Sequence, residues 1–274
     1  MKLMLTYSRR LWLLWLLLIL GLCLTGAFQL LIHHIDPPLT AQLRIISIIQ
    51  QLLMFMLPAS ICALLSTRLP ADLLGVRRLP SWKMLLVALL TLLASIPVMN
   101  ALVQICELLP WPPQVLTEEA ENQRTINLMI GNGGVADTLL ALCVVAVLPA
   151  LCEELFFRGA LQNLLRSKPM SAHLAVWLAA ICFSLLHAQP VGFIPRILLG
   201  AGFGYVALWS GSLWTAIACH MLNNALVVIT QQAGMNPDAL GLSTPALSVA
   251  SAIMTAAGLY IIWRNYSRSM PSSM

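Results

Sequence analysis

Long apolar runs, broken by short polar segments, dominate the chain. Eight of them fall at about 11–32, 45–66, 84–108, 138–164, 171–189, 193–209, 212–232 and 245–263. Runs near 20 residues match the length of a membrane-crossing helix. Backbone amides and carbonyls have no water partner in lipid, so these runs are expected as helices rather than open strands. Pro58, Pro97 and Pro149 lie inside runs and predict kinks there. The longest polar stretch, about 110–136, holds Gly131-Asn132-Gly133-Gly134 and predicts an external loop with a turn. The first run follows Lys2, Arg9 and Arg10, as a signal peptide would. It is long enough to span and ends in no small-x-small cleavage site, so it is expected as an uncleaved first span.

Composition agrees. Of 274 residues, 59% are hydrophobic and 9% charged, with a mean hydropathy of +0.87. A soluble domain carries roughly 25% charged residues. A soluble enzyme, a disordered chain and a nucleic-acid binder are thereby excluded. The net charge of +5 acquires another meaning once it is mapped onto the runs. With the N-terminus cytoplasmic, Lys2, Arg9, Arg10, Arg68, Arg77, Arg78, Lys83, Arg166, Lys168, Arg264 and Arg268 fall inside. Arg44, Arg124 and Arg196 fall outside, with Glu118, Glu119 and Glu121 in the outer loop. Eleven against three is a positive-inside pattern and predicts both termini in the cytoplasm. Trp82, Trp111, Trp209, Trp214 and Trp263 lie near run ends, as an interfacial belt requires. The seven cysteines sit in apolar runs without a CxxC, and read as small packing residues. The expected fold is an all-α polytopic bundle of about eight spans. It divides into a three-span region (1–110), an external loop (111–136) and a helical core (137–274).

A charge at mid-bilayer costs at least ~2.5–3.5 kcal/mol, so the few that lie there call for a reason. The fourth run holds Glu153, Glu154 and Arg158. The fifth ends in Phe183 and His187, and the seventh carries His220 and Asn224. Two further histidines, His33 and His34, sit at a run end, and His173 opens another. Glu154 and Arg158 are four apart, share a helix face and can pair; so do His220 and Asn224. Phe183 lies one turn from His187 and can buttress its ring. Glu153 points about 100° away from Glu154. One carboxylate can thus be held by Arg158 while the other serves as a general base. Counted from the inner turns, Glu153, His187 and His220 lie at ~18, ~25 and ~15 Å, differences that tilt and kinks absorb. A packing role remains open for any one of these residues, since His and Asn also bond helices together. Cys219 adjoins His220, but adjacent helical residues do not face each other, which disfavours a Cys–His nucleophile.

Glu153-Glu154-x-x-x-Arg158, Phe183-x-x-x-His187 and His220-x-x-x-Asn224, in that order, resemble the three motifs of the CPBP family, the CAAX prenyl proteases and bacteriocin-processing enzymes also called Abi. The likeness covers about 138–232; the first three spans carry no motif. It implies an eight-helix intramembrane endopeptidase. It implies that Glu153 activates water with help from His187, that His220 and Asn224 stabilise the oxyanion, and that Glu154 and Arg158 organise the site. It implies a peptide or membrane-protein substrate, prenylated or not, in a bacterial-type cytoplasmic membrane, with no nucleic acid. Two His and a Glu are a legitimate zinc set, but HExxH is absent and the groups come from three spans; the resemblance implies a glutamate mechanism without cofactor rather than zinc. A carrier using the same groups as a proton relay, and a non-catalytic scaffold, are the alternatives of another class.

Overall fold

The computed structural model describes residues 6–32, 35, 37–131, 133–166, 170–235 and 244–269. His33, His34, Lys2 and Lys168 lie outside the described residues. Among the described residues nine long helices carry the fold, with one further short turn of helix at Pro70–Leu73: α1 (Tyr7–Ile32), α2 (Leu39–Ser66), α3 (Trp82–Glu107), α4 (Pro113–Ile130), α5 (Val135–Arg166), α6 (Ala172–Leu186), α7 (Phe193–Ser210), α8 (Leu213–Gln232) and α9 (Pro245–Ser269). No strand occurs among the described residues. Seven of the nine are long and apolar enough to cross a membrane. The expected fifth span, α6, has 15 residues. At 1.5 Å per residue it reaches ~22 Å, short of the ~30 Å hydrocarbon core. The outer faces are apolar, as on α1, where Trp12, Leu16 and Ile19 are exposed. Such faces suit lipid rather than water.

The 111–136 segment, expected as a loop, is mostly helix. Pro112 and Pro113 supply the fixed φ of a first turn, and Gly131 ends α4 at φ +70°. Arg44, expected among the outer charges, is buried under that end. Its Nε donates to Met129 O (2.7 Å), its Nη2 to Ile130 O (3.1 Å), and its Nη1 pairs with Asp137 (2.6 Å). A cation on the last carbonyls of a helix meets both their unfilled lone pairs and the negative end of the dipole. Gln232 of α8 donates to Gly131 O at 2.9 Å, so α2, α4, α5 and α8 are tied at this end.

The three prolines are accommodated in two ways. Proline removes an N–H and crowds the carbonyl four residues back. In α2 and α5 the helix widens to π geometry over Gln51–Met56 and Leu142–Val147, just before Pro58 and Pro149. In α3 the hydroxyl of Ser251, from α9, enters the ladder beside Pro97. It accepts from Val98 N at 3.1 Å and donates to Ala94 O at 2.5 Å. A third π segment, Leu155–Gln162, contains no proline and carries Arg158. There Gly159 lets α5 approach the chain at Leu74, whose carbonyl oxygen would stand 3.1 Å from an added Cβ.

Two of the four apolar clusters among the described residues flank the middle of α5. One joins α1, α2, α5 and α6 through Leu14, Phe55, Phe156, Phe157 and Phe183. The other joins α3, α7, α8 and α9 through Leu92, Phe203, Cys219 and Ile262. The polar residues of α5 lie between them.

Candidate active site

Arg158 is the centre of the buried polar cluster. Its Nη1 donates to Glu154 Oε1 at 2.7 Å and its Nη2 to Gly200 O, on α7, at 2.8 Å. The guanidinium lies over the Phe183 ring, 4.7 Å from its centroid, a cation–π approach. Gly200 makes room: a Cβ there would stand 3.2 Å from both Arg158 Nη2 and Phe183 Cδ1. Arg158 and Glu154 are 1% and 0% exposed, so neither charge can be solvated in place of its partner. Removing one partner of such a pair costs about 3–5 kcal/mol.

Glu154 passes the arrangement on to α8. Its Oε1 stands 2.9 Å from His220 Nδ1. An ionised carboxylate only accepts, so Nδ1 carries the hydrogen and Nε2 of the neutral ring keeps its lone pair. Phe203 stacks on this imidazole with ring centroids 5.1 Å apart at 19°, fixing its plane. His220 Nε2 then faces Glu153 Oε2 at 3.9 Å. That is beyond hydrogen-bond length. Glu153 Oε1 accepts from Gln51 Nε2, on α2, at 2.8 Å. The two adjacent glutamates thus diverge as the helix angle requires.

His187 stands at the C-cap of α6, and Ala188 after it has φ +52°, the left-handed turn that closes a helix. His187 Nδ1 is 2.7 Å from Phe183 O. A carbonyl only accepts, so this ring too presents an unprotonated Nε2 when neutral. The Phe183 ring sits against both imidazoles, 4.7 Å from His187 and 5.8 Å from His220. His187 interacts electrostatically with Glu153 and His220. Asn224, one turn after His220, receives a hydrogen bond on Oδ1 from Asn223 (3.2 Å), which turns its Nδ2 the other way. That Nδ2 reaches Val145 O at 3.5 Å. Val145 is four residues before Pro149, so its carbonyl lacks the helical donor that proline removed.

Glu153, Glu154, Arg158 and His220 therefore form one connected group, His187 adjoins it across Phe183, and Asn224 flanks it along α8. The sequence reading did not single out Gln51, Phe203 or Gly200. For Gln51 a signal was present: Gln50 and Gln51 are polar residues inside the second apolar run. For Phe203 and Gly200 there was none, because neither residue type is unusual in an apolar helix. A zinc ion would need ligands that converge. Among the described residues, no three His, Cys, Asp or Glu side chains stand close enough to hold one metal ion.

A buried carboxylate, imidazoles and an amide brought together inside an all-helical bundle are groups capable of acid–base chemistry. Residues 135–226 match the family model described as type II CAAX prenyl endopeptidase Rce1-like, which supports assignment to the CPBP/CAAX protease family. The matched segment runs from the start of α5 into α8 and contains all six residues Glu153, Glu154, Arg158, His187, His220 and Asn224. With the membrane-type helix bundle, it supports an intramembrane protease of the CAAX type in general. No curated protein and no solved structure matches the chain.

Proposed function

We propose that this chain is an intramembrane endopeptidase in which Glu153 activates the water that attacks a peptide carbonyl. The observation that carries the reading is the position of the Glu153 carboxylate. One oxygen is fixed by Gln51, and the other faces His220 Nε2 across 3.9 Å. A single water can bond to both groups across such a gap. Glu153 takes a proton from that water as the new C–O bond forms. The carbonyl oxygen becomes an oxyanion, and the free N–H of Asn224 Nδ2 donates to it. His220, when protonated, donates from Nε2 as well, with its positive charge balanced by Glu154. Arg158 holds Glu154 for that purpose and is a positioning residue. Glu153, now a carboxylic acid, returns its proton to the leaving amine as the C–N bond breaks. His187, with Nε2 unprotonated, assists Glu153. No step passes through a metal.

The substrate is a membrane-associated or secreted peptide, prenylated or not, and the membrane is of the cytoplasmic type. Glu153→Gln removes the base with almost no change in shape. Peptides that accumulate uncut in cells carrying Glu153→Gln identify the substrate. Purified wild-type protein in nanodiscs should cut them and the variant should not. Turnover by the variant at the wild-type rate would falsify the role of Glu153. Wild-type turnover should persist after bound metals are stripped; loss that zinc restores would favour a metalloprotease instead.

A further inference from the structure

A second polar cavity lies where the segment after α2 meets α5, α7 and α8, and it shares Arg158 with the candidate active site. Two adjoining hollows share Asp72, Gly75 and Gly211 in their walls. The outer one has a volume of about 700 Å³ and carries Arg77 and Arg78 on its rim. The inner one, of about 270 Å³, is lined by Arg166 and Tyr266 and reaches Arg158 and Gln162. The outer volume lies in the ordinary range of small-molecule sites, roughly 300–1,000 Å³.

The wall is built so that positive charge faces the hollow. The loop after α2 spends its carbonyls on other helices. Asn163 Nδ2 donates to Leu73 O (2.8 Å), Leu213 N to Gly75 O (3.0 Å), Trp214 Nε1 to Val76 O (2.8 Å) and Ser212 Oγ to Arg78 O (2.5 Å). Gly75 and Gly211 turn with positive φ, +72° and +66°. Three arginines, Arg77, Arg78 and Arg166, then stand against one carboxylate, Asp72, which pairs with Arg77 at 3.1 Å in an exposed position. On the floor, Arg158 and Gln162 are each 1% exposed, and each leaves a polar atom without a partner, Nε and Oε1. Arginines placed only to orient helices would explain the rim. They would not explain two unpartnered polar atoms, a donor and an acceptor, buried on side chains that line the inner hollow.

We propose that this cavity binds a phosphate-bearing headgroup. The phosphate sits between Arg77, Arg78 and Arg166, and the polar substituent it carries enters the inner hollow, on the side lined by Arg158 and Gln162. Guanidinium forks suit phosphate oxygens, and basic pockets between membrane helices take anionic lipid headgroups. The same chemistry could be met by a lipid or by a soluble phosphate compound, and the test separates the two.

Purified full-length protein is reconstituted in nanodiscs of phosphatidylcholine with or without phosphatidylglycerol. Retained lipid is measured by native mass spectrometry, and thermal melting is followed on adding inorganic phosphate. The wild type should retain phosphatidylglycerol in preference to phosphatidylcholine. Arg77→Gln/Arg78→Gln should weaken that retention by about 30-fold, given the usual contribution of each arginine near an anionic surface. Arg77→Lys/Arg78→Lys, which keeps the charge but not the fork, should retain more than the Gln variant and controls for folding. A melting shift with inorganic phosphate in phosphatidylcholine alone, lost in the Gln variant, would assign the site to a soluble phosphate. Equal lipid retention by wild type and Gln variant, with no phosphate shift, would overturn the proposal.

Discussion

Glu153 and Glu154 are neighbours in the chain but hydrogen-bond to different residues, and they meet opposite nitrogens of the His220 ring. Glu154 is held by Arg158 and His220, while Glu153 meets Gln51 on one oxygen and His220 across a gap on the other. That divergence was legible in advance, because a 100° step on a helix sends adjacent side chains to different neighbours. The identity of the neighbour was not. Gln51 comes from a span without motif, 102 residues away, and nothing local tells which face of α2 meets α5. Its hydrogen bond to a charged group is of the class worth ~1.5–3 kcal/mol. If that energy positions the base, Gln51→Leu should lower kcat/KM by about 10- to 100-fold. Melting should fall as well, because a buried Glu153 oxygen loses its donor, so the kinetics are read well below the transition. Gln51→Asn, which keeps an amide, should recover part of the loss. Unchanged kinetics in Gln51→Leu, measured on the peptides that accumulate with Glu153→Gln, would remove Gln51 from the site.

At the scale of the helix, the prolines were readable as interruptions, but their outcome depends on the neighbour. Beside Pro97 a serine from α9 enters the ladder, whereas before Pro149 the helix widens and Val145 O turns to Asn224. A sequence shows that a carbonyl will lose its donor; only packing shows what replaces the donor. The same holds for the 111–136 segment. Its polarity pointed to a loop, yet Arg44 from α2 caps it as a helix. The π turn before Pro149 couples helix geometry to the candidate site, since it sets where Asn224 finds its acceptor. Pro149→Ala supplies the missing N–H and removes the ring that forces the turn open. The variant should be at least as stable as the wild type in thermal melting. Its kcat should fall about 10-fold or more, the scale of losing one oriented donor to developing charge. A variant that turns over at the wild-type rate would mean that Asn224 is positioned without help from α5.

Across the whole molecule, polar features collect at two ends. Asp72, Arg77, Arg78, Arg166, Gly211 and Tyr266 meet at one. Arg44, Ile130, Asp137 and Gln232 meet at the other, and Arg196 interacts there with Glu119 of α4. These are the segments that alternation of eight crossings would send to opposite faces, and the arginine-rich end is the one expected inside. Lys and Arg are retained on the cytoplasmic side during insertion, so both termini should face the cytoplasm. The short α6 bears on where the candidate site lies. A 15-residue helix starting near the arginine-rich face ends ~8 Å below the far surface, so His187 would sit within the hydrocarbon depth. Epitope tags at the two termini test the orientation. Both should be cleaved by protease in inside-out vesicles and protected in intact spheroplasts, and a thiol probe confined to the exterior should label Glu118→Cys on α4 in a background with its seven cysteines replaced. Cleavage of one tag alone from the exterior would mean an odd number of crossings, and cleavage of both would invert the arrangement. Inversion would place the arginine-lined cavity outside and turn α4, with the end of α6, toward the cytoplasm.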